Sequence, residues 1–117
     1  NKETTKLISK NELSLMKSSA ILVNTARGGV VDEVALYDAL TQNGIAAAGL
    51  DVFVTEPTDP AHPLLSLTNV IVSPHCAGVT RESTSRTSRI AAQNVLSTLD
   101  GSIKSFYVVN HEVLEQP

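Results

Sequence analysis

The sequence predicts an α/β fold built on parallel strands, on three observations. Apolar runs of strand length alternate with helix-patterned segments, in the order helix, strand, helix, strand, loop, strand, helix. That alternation implies parallel pairing and right-handed crossovers. The strand candidates are short and continuously apolar, as buried strands of a parallel sheet are. The 117 residues are also 42% hydrophobic but only 3% aromatic, with no Trp. The interior must be filled by Ala, Val, Leu and Ile, which suits helices on a parallel sheet better than an aromatic-rich sandwich. A chain of this length holds one domain with a modest core.

Each element has a local cause. Ser9-Lys10-Asn11-Glu12 has the S-x-x-E form of a capping box, and Leu13 and Met16 follow at helical spacing, predicting a helix over about 10–17. Ala20 to Thr25 predicts a strand buried on both faces. Asp32 is a natural N-cap, Glu33 suits a first helical turn, and Leu36, Ala39 and Leu40 form an apolar face. Gly44 stands where that helix wants a left-handed residue. Ala46 to Phe53 predicts a second buried strand, the Pro-rich stretch Thr55 to Pro63 a loop, and Val70 to Ser73 a third strand. Thr80 can cap a helix over about 81–99, with Ala91, Ala92, Val95, Leu96 and Leu99 as its core face and Gly101 at its end. Arg81 to Arg89 carries no apolar side chain, as a solvated face or a face turned to a partner would. Beyond Ile103 the chain reads as an extended tail.

Composition excludes several classes. The net charge is −3, with no basic block, aromatic RNA-binding motif or zinc-finger spacing, so nucleic acid is not an expected partner. A single cysteine, Cys76, forms no internal disulfide and fits a reducing compartment. No apolar run reaches the roughly 18 residues of a membrane span, and no signal peptide opens the chain. A soluble, cytoplasmic protein is expected. Asn1 to Lys10 has no initiator Met and reads as the middle of something longer, so a fragment is expected too.

In an open parallel sheet, ligands sit beyond the carboxyl ends of the strands. Arg27 lies just past the first strand, Asp51 and Glu56 at and past the second, and His75 just past the third. Arg27 can fork two donors towards a carboxylate. Gly28 and Gly29 after it would let the backbone approach a ligand and take positive φ. His75 titrates nearest neutrality and is the candidate acid–base group. A neighbouring carboxylate such as Glu56 would favour the imidazolium and fix its orientation. Together these residues describe proton transfer at an oxygen next to a carboxylate. Cys76 has no activating helix start before it and is not expected to be a nucleophile. His62, His75 and His111 have no metal-ligand spacing, so no metal is expected.

Three stretches carry a specific resemblance: VNTARGGVVDEVAL (23–36), GLDVFVTEP (49–57) and SPHCAG (73–78). In this order and spacing they resemble consecutive signatures of the NAD(P)-dependent D-2-hydroxyacid dehydrogenases, which include phosphoglycerate dehydrogenases and glyoxylate/hydroxypyruvate reductases. Lys2-Glu3-Thr4-Thr5 resembles the family's lead-in to the first helix, and VVNHEVL (108–114) its C-terminal close. The resemblance implies the second half of a doubly wound (Rossmann-like) parallel sheet over 1–102. Residues 103–117 would be a tail returning to a substrate domain. It also implies that His75 donates the proton in reduction of a 2-keto acid, that Glu56 orients it, and that Arg27 holds the substrate carboxylate. The cofactor, NAD or NADP, would be held at its nicotinamide end by Thr25, Ala26, Arg27, Asp51 and the segment His75, Cys76, Ala77 and Gly78. Glutamate at 56 sets the chain apart from formate dehydrogenases, which place glutamine there.

The family's G-x-G-x-x-G turn and the acid that binds the adenosine ribose have no counterpart in these residues, so the choice of NAD or NADP is not encoded here. The 117 residues alone are expected to be inactive. The full-length protein is expected to be a homodimer acting on a small 2-hydroxy or 2-keto acid. A non-catalytic reading is the alternative, because related transcriptional corepressors share the same stretch and use the fold to bind proteins. A short, decayed gene product is a third. The first strand would normally pair with a strand of the absent half, leaving an open edge here. The isolated chain is therefore expected to oligomerise or dissolve poorly, and a monodisperse monomer in sedimentation would refute that.

Overall fold

The computed structural model describes residues 3–115. Lys2, part of the resemblance at the lead-in, and the tail positions 116–117 lie outside the described residues. The chain forms two compact units, Asn1–Ala77 and Gly78–Pro117.

In the first unit, α1 (Lys10–Ser14) precedes β1 (Ile21–Asn24), α2 (Glu33–Thr41), β2 (Ala47–Leu50) and β3 (Val70–Val72). Short 3-10 turns at Gly28–Val30 and Pro63–Ser66 complete it. The three strands form a parallel sheet in the order β1-β2-β3. Ile21 to Asn24 register with Ala47 to Leu50, and Ala48 to Leu50 with Val70 to Val72. The alternation of helix and strand thus produces the parallel pairing it implied, with β1 at the sheet edge.

Capping sets the helix starts. The Ser9 N–H donates to the Glu12 carboxylate at 3.0 Å, one half of the predicted capping box. The Asp32 carboxylate accepts from Val34 and Ala35 N–H at 3.2 and 3.4 Å and pairs with Lys6 at 3.0 Å. A cap of this kind stabilises by about 1 kcal/mol. Leu36 and Leu40 of α2 join Leu13, Leu22, Ala48, Leu50, Phe53 and Leu64 in one buried cluster.

Several expectations are corrected. β1 is not buried on both faces: Leu22 and Asn24 are buried, whereas Ile21 and Val23 are 66% and 68% exposed. The reason is that the core residues of α1, α2 and the Pro63–Ser66 turn all gather on the Leu22, Ala48 and Leu50 face. α1 stops at Ser14 and β2 at Leu50, both earlier than expected. Gly44 does not take the left-handed position; Asn43 does, with φ 56°, because Gln42 already caps α2.

In the second unit, α3 (Arg81–Leu99) has the predicted limits. Thr80 and Ser83 cap it reciprocally, each side chain accepting from the other's backbone N–H at 3.1 and 3.0 Å. Gly101, at φ 76°, supplies the left-handed residue after it. The expected core face of α3 is not buried: no residue of the helix is, and Val95, Leu96 and Leu99 are exposed. The tail is not simply extended, since it forms two 3-10 turns, Ser105–Tyr107 and His111–Glu115. Among the described residues, no helix is long and apolar enough to cross a membrane.

Candidate active site

The carboxyl ends of the three strands carry the chemistry. β1 runs into a turn built by Asn24, whose buried side-chain amide works in both directions. Its Oδ1 accepts from Ala26 N–H at 3.1 Å and its Nδ2 donates to the Arg27 carbonyl at 3.0 Å. This Asx-type closure fixes the turn that presents Arg27. The guanidinium is exposed and rests against its own turn, with Nη1 donating to the Ala26 carbonyl at 2.6 Å. Thr25 and Ala26 are exposed beside it, and the Ala26 amide is satisfied within the chain.

Neither Gly28 nor Gly29 takes positive φ, contrary to expectation. Gly28 is needed for another reason. A Cβ placed on it would lie 1.9 Å from the Phe53 carbonyl carbon and 2.3 Å from the Val54 nitrogen. The space it leaves is filled by the backbone after β2, so the Arg27 turn and the Glu56 loop touch. Around Gly29 nothing lies within 4 Å of such a Cβ.

β2 and β3 bring the remaining groups together. Glu56 Oε2 lies 2.8 Å from His75 Nδ1, and Glu56 Oε1 accepts from Phe53 N–H at 3.0 Å. The histidine hydrogen bond, the Phe53 amide and the charges of His75 and Arg27 hold the Glu56 carboxyl below the usual range. An ionised Glu56 only accepts, so Nδ1 carries a proton and Nε2 is the histidine nitrogen left to exchange one. His75 itself has φ 53°, held by its N–H donating to the Asp51 carbonyl at 2.8 Å. A left-handed histidine fixed by its surroundings is the kind of outlier found at functional sites.

Asp51 organises the loop around it. Its carboxylate accepts from Ser73 Oγ at 2.5 Å and from Cys76 and Ala77 N–H at 2.9 Å each. The Ser73 hydroxyl first, and then the Ala77 amide, lower its pKa. A depressed folded pKa contributes stability above the unfolded value, about 3.9 for Asp, and loses it as pH falls through the folded value. The amide resonances of Cys76 and Ala77 are therefore expected to titrate together in NMR, with a midpoint below that of an ordinary Asp. A midpoint at or above the ordinary value would contradict this bonding. Asp51, Glu56 and His75 line one cavity of about 410 Å³ with Phe53, Val72 and Pro74. Arg27 does not line it. The Cys76 thiol is exposed. Gly78 begins the second unit, where its carbonyl accepts from Thr80 N–H at 3.2 Å and Ser83 Oγ at 2.6 Å.

Sequence reasoning missed Asn24, Ser73 and the contact made by Gly28. Asn at a strand end, two residues before a turn amide, is a recognisable Asx-turn signal. The other two arise from chain segments far apart in sequence and leave no local signal.

The profile described as "D-isomer specific 2-hydroxyacid dehydrogenase, NAD binding domain" matches residues 1–77. The glyoxylate reductase of Aeropyrum pernix is 48% identical over 113 residues, 97% of this chain and 33% of that protein. Among solved structures, D-lactate dehydrogenase with NAD+ from Lactobacillus jensenii superposes with a TM-score of 0.77 at 36% identity, over 88% of this chain and 35% of that one. The NADPH-dependent glyoxylate/hydroxypyruvate reductase of Sinorhizobium meliloti, in complex with NADP and malonate, gives a TM-score of 0.76 at 37% identity, over 83% and 30%. The chain spans about a third of the length of the curated relatives it matches.

Proposed function

The chain belongs to the D-isomer-specific 2-hydroxyacid dehydrogenases, through their NAD-binding domain, and from that membership we propose that the whole protein interconverts a small 2-keto acid and its D-2-hydroxy acid. The observation that carries this reading is the His75–Glu56 pair, 2.8 Å apart at the carboxyl ends of parallel strands. When bound, NAD(P) supplies or accepts the hydride.

A nicotinamide fits this edge by the chemistry of Asp51. A carboxylate offers about four acceptor positions; Ser73 Oγ, Cys76 N–H and Ala77 N–H occupy one each. The remaining one, on Oδ2, suits the carboxamide N–H of a nicotinamide. Thr25, Ala26, Arg27, His75 and the segment Cys76, Ala77 and Gly78 are the other residues proposed to hold that end. NAD and NADP differ at the adenosine ribose, which no residue here is proposed to read.

The roles of the chain's own residues follow. Arg27 binds the substrate carboxylate with charge-assisted hydrogen bonds. Glu56 stabilises the imidazolium and fixes the ring through Nδ1. Protonated Nε2 of His75 then gives its proton to the substrate oxygen during reduction, and takes it back in the reverse direction. Glyoxylate, hydroxypyruvate and phosphohydroxypyruvate all present the required carbonyl beside a carboxylate. The homodimeric, cytoplasmic state and the division into 1–102 and a returning tail belong to the same proposal.

The test is oxidation of NADH and NADPH by the full-length protein with each of these keto acids. Turnover of at least one is expected, with none from the 117-residue chain alone. No turnover of any 2-keto acid by the full-length protein would overturn the reading.

A further inference from the structure

We propose that Glu33 and His62 are positioning residues for Glu56, bracing the loop between Phe53 and His62 so that the Glu56 carboxylate reaches His75. Its catalytic consequence rests on the reading of His75 and Glu56 as the acid–base pair; its geometry does not.

Glu56 sits on a loop whose residues Val54 to Pro57 are all exposed. Its bond to Phe53 N–H ties it to a residue of the buried cluster, but only at the start of the loop, and leaves the far end of the loop unheld. A second tie to the fixed structure holds both ends of the loop. Glu33 opens α2, whose Leu36 and Leu40 lie in the core. Glu33 Oε1 accepts from Val54 N–H at 2.8 Å, and Oε2 lies 3.3 Å from His62 Nε2. His62 Nδ1 accepts from Leu64 N–H at 3.3 Å. That assigns Nδ1 as the acceptor and leaves the proton on Nε2, which donates to Glu33. The ring of Phe53 meets the ring of His62 edge-on, 5.3 Å between centroids.

One carboxylate therefore holds Val54, where the loop begins, and His62, against which it ends. The consecutive amides of Phe53 and Val54 go to two different acids, Glu56 and Glu33. The brace is also drier than the pair it supports. The side chains of Glu33 and His62 are 18% and 23% exposed, against 38% and 48% for Glu56 and His75. Hydrogen bonds in the drier pair are less easily exchanged for water, as a fixed support requires.

The experiment compares full-length wild type with Glu33→Ala, which removes both anchors, and Glu33→Gln, which keeps an acceptor for Val54 N–H but places an NH₂ against His62 Nε2–H. The first readout is the carboxyl titration of Glu56 by NMR. In wild type it is held low by His75, then by Phe53 N–H, with Arg27 adding its charge. It is expected to move up towards an ordinary Glu in Glu33→Ala and part of the way in Glu33→Gln. The second readout is kinetic. kcat is expected to fall by about ten- to a hundredfold in Glu33→Ala, the cost of a small misplacement of a catalytic group, while KM for the keto acid, set by Arg27, stays nearly constant. An unmoved Glu56 titration in a folded Glu33→Ala overturns the proposal; if that variant does not fold, an unmoved titration in Glu33→Gln does so. Should wild type turn over no keto acid, the functional reading fails and the titration still decides the brace.

Discussion

Replacing His75 by Asn in the full-length protein is expected to lower kcat for keto-acid reduction by about a hundred- to ten-thousandfold, the usual worth of a positioned general acid. Asn is the informative choice because residue 75 sits at φ 53°, and Asn tolerates the left-handed region better than most residues. The fold should survive the change, since the His75 N–H still reaches the Asp51 carbonyl and the Asp51 bonds to Ser73, Cys76 and Ala77 do not involve the ring. What disappears is Nε2, the atom that exchanges the proton. Glu56→Gln should cost less, because the imidazole remains and loses only the charge that stabilises its protonated form. The comparison that checks both is steady-state kinetics beside cofactor affinity. If His75→Asn keeps more than a tenth of the wild-type kcat, His75 is not the acid.

Gly28→Ala is expected to destabilise the protein by more than the roughly 1–3 kcal/mol of ordinary overpacking, and to impair the site as well. The new Cβ would stand 1.9 Å from the Phe53 carbonyl carbon, 2.1 Å from its oxygen and 2.3 Å from the Val54 nitrogen. These are backbone atoms, so no side-chain rotation relieves the overlap. Either the Arg27 turn or the strand exit must shift. The exit carries the Phe53 and Val54 amides that Glu56 and Glu33 hold, so displacement there reaches His75. Gly29→Ala is the control. Its Cβ would meet nothing within 4 Å, and its effect should lie within about 0.5 kcal/mol. Denaturant midpoints of the two variants make the test, and equal stability of Gly28→Ala and Gly29→Ala would show that the close approach does not matter.

The contrast between these two glycines shows where reading a sequence stops. Both were expected to leave room for a ligand, and nothing in the local pattern separates them. Only one is pressed against another chain segment, and that segment lies 25 residues further on. The same limit hid Glu33, which reads locally as a good first-turn residue for α2 and nothing more. Its bonds to Val54 and His62 span 21 and 29 residues. The apolar positions of α3 illustrate the converse. Periodicity records that Val95, Leu96 and Leu99 share a face, but not what that face meets, and all three are exposed.

By itself the sequence determined what short-range chemistry controls. The caps at Ser9, Asp32 and Thr80 set where helices begin, the limits of α3 follow from its cap and Gly101, and alternation of helix and strand yields a parallel sheet. That order also sends Arg27, Glu56 and His75 to the carboxyl ends of the strands, because each follows a strand in a sheet whose strands all run the same way. Tertiary structure alone decided that His75 Nδ1 meets Glu56, leaving Nε2 for proton exchange, and that Asp51 gathers Ser73, Cys76 and Ala77. It also decided that the exit from β2 fills the space beside Gly28. Those contacts join residues about twenty or more positions apart, and their formation depends on how packed segments place backbone atoms to within a few tenths of an ångström.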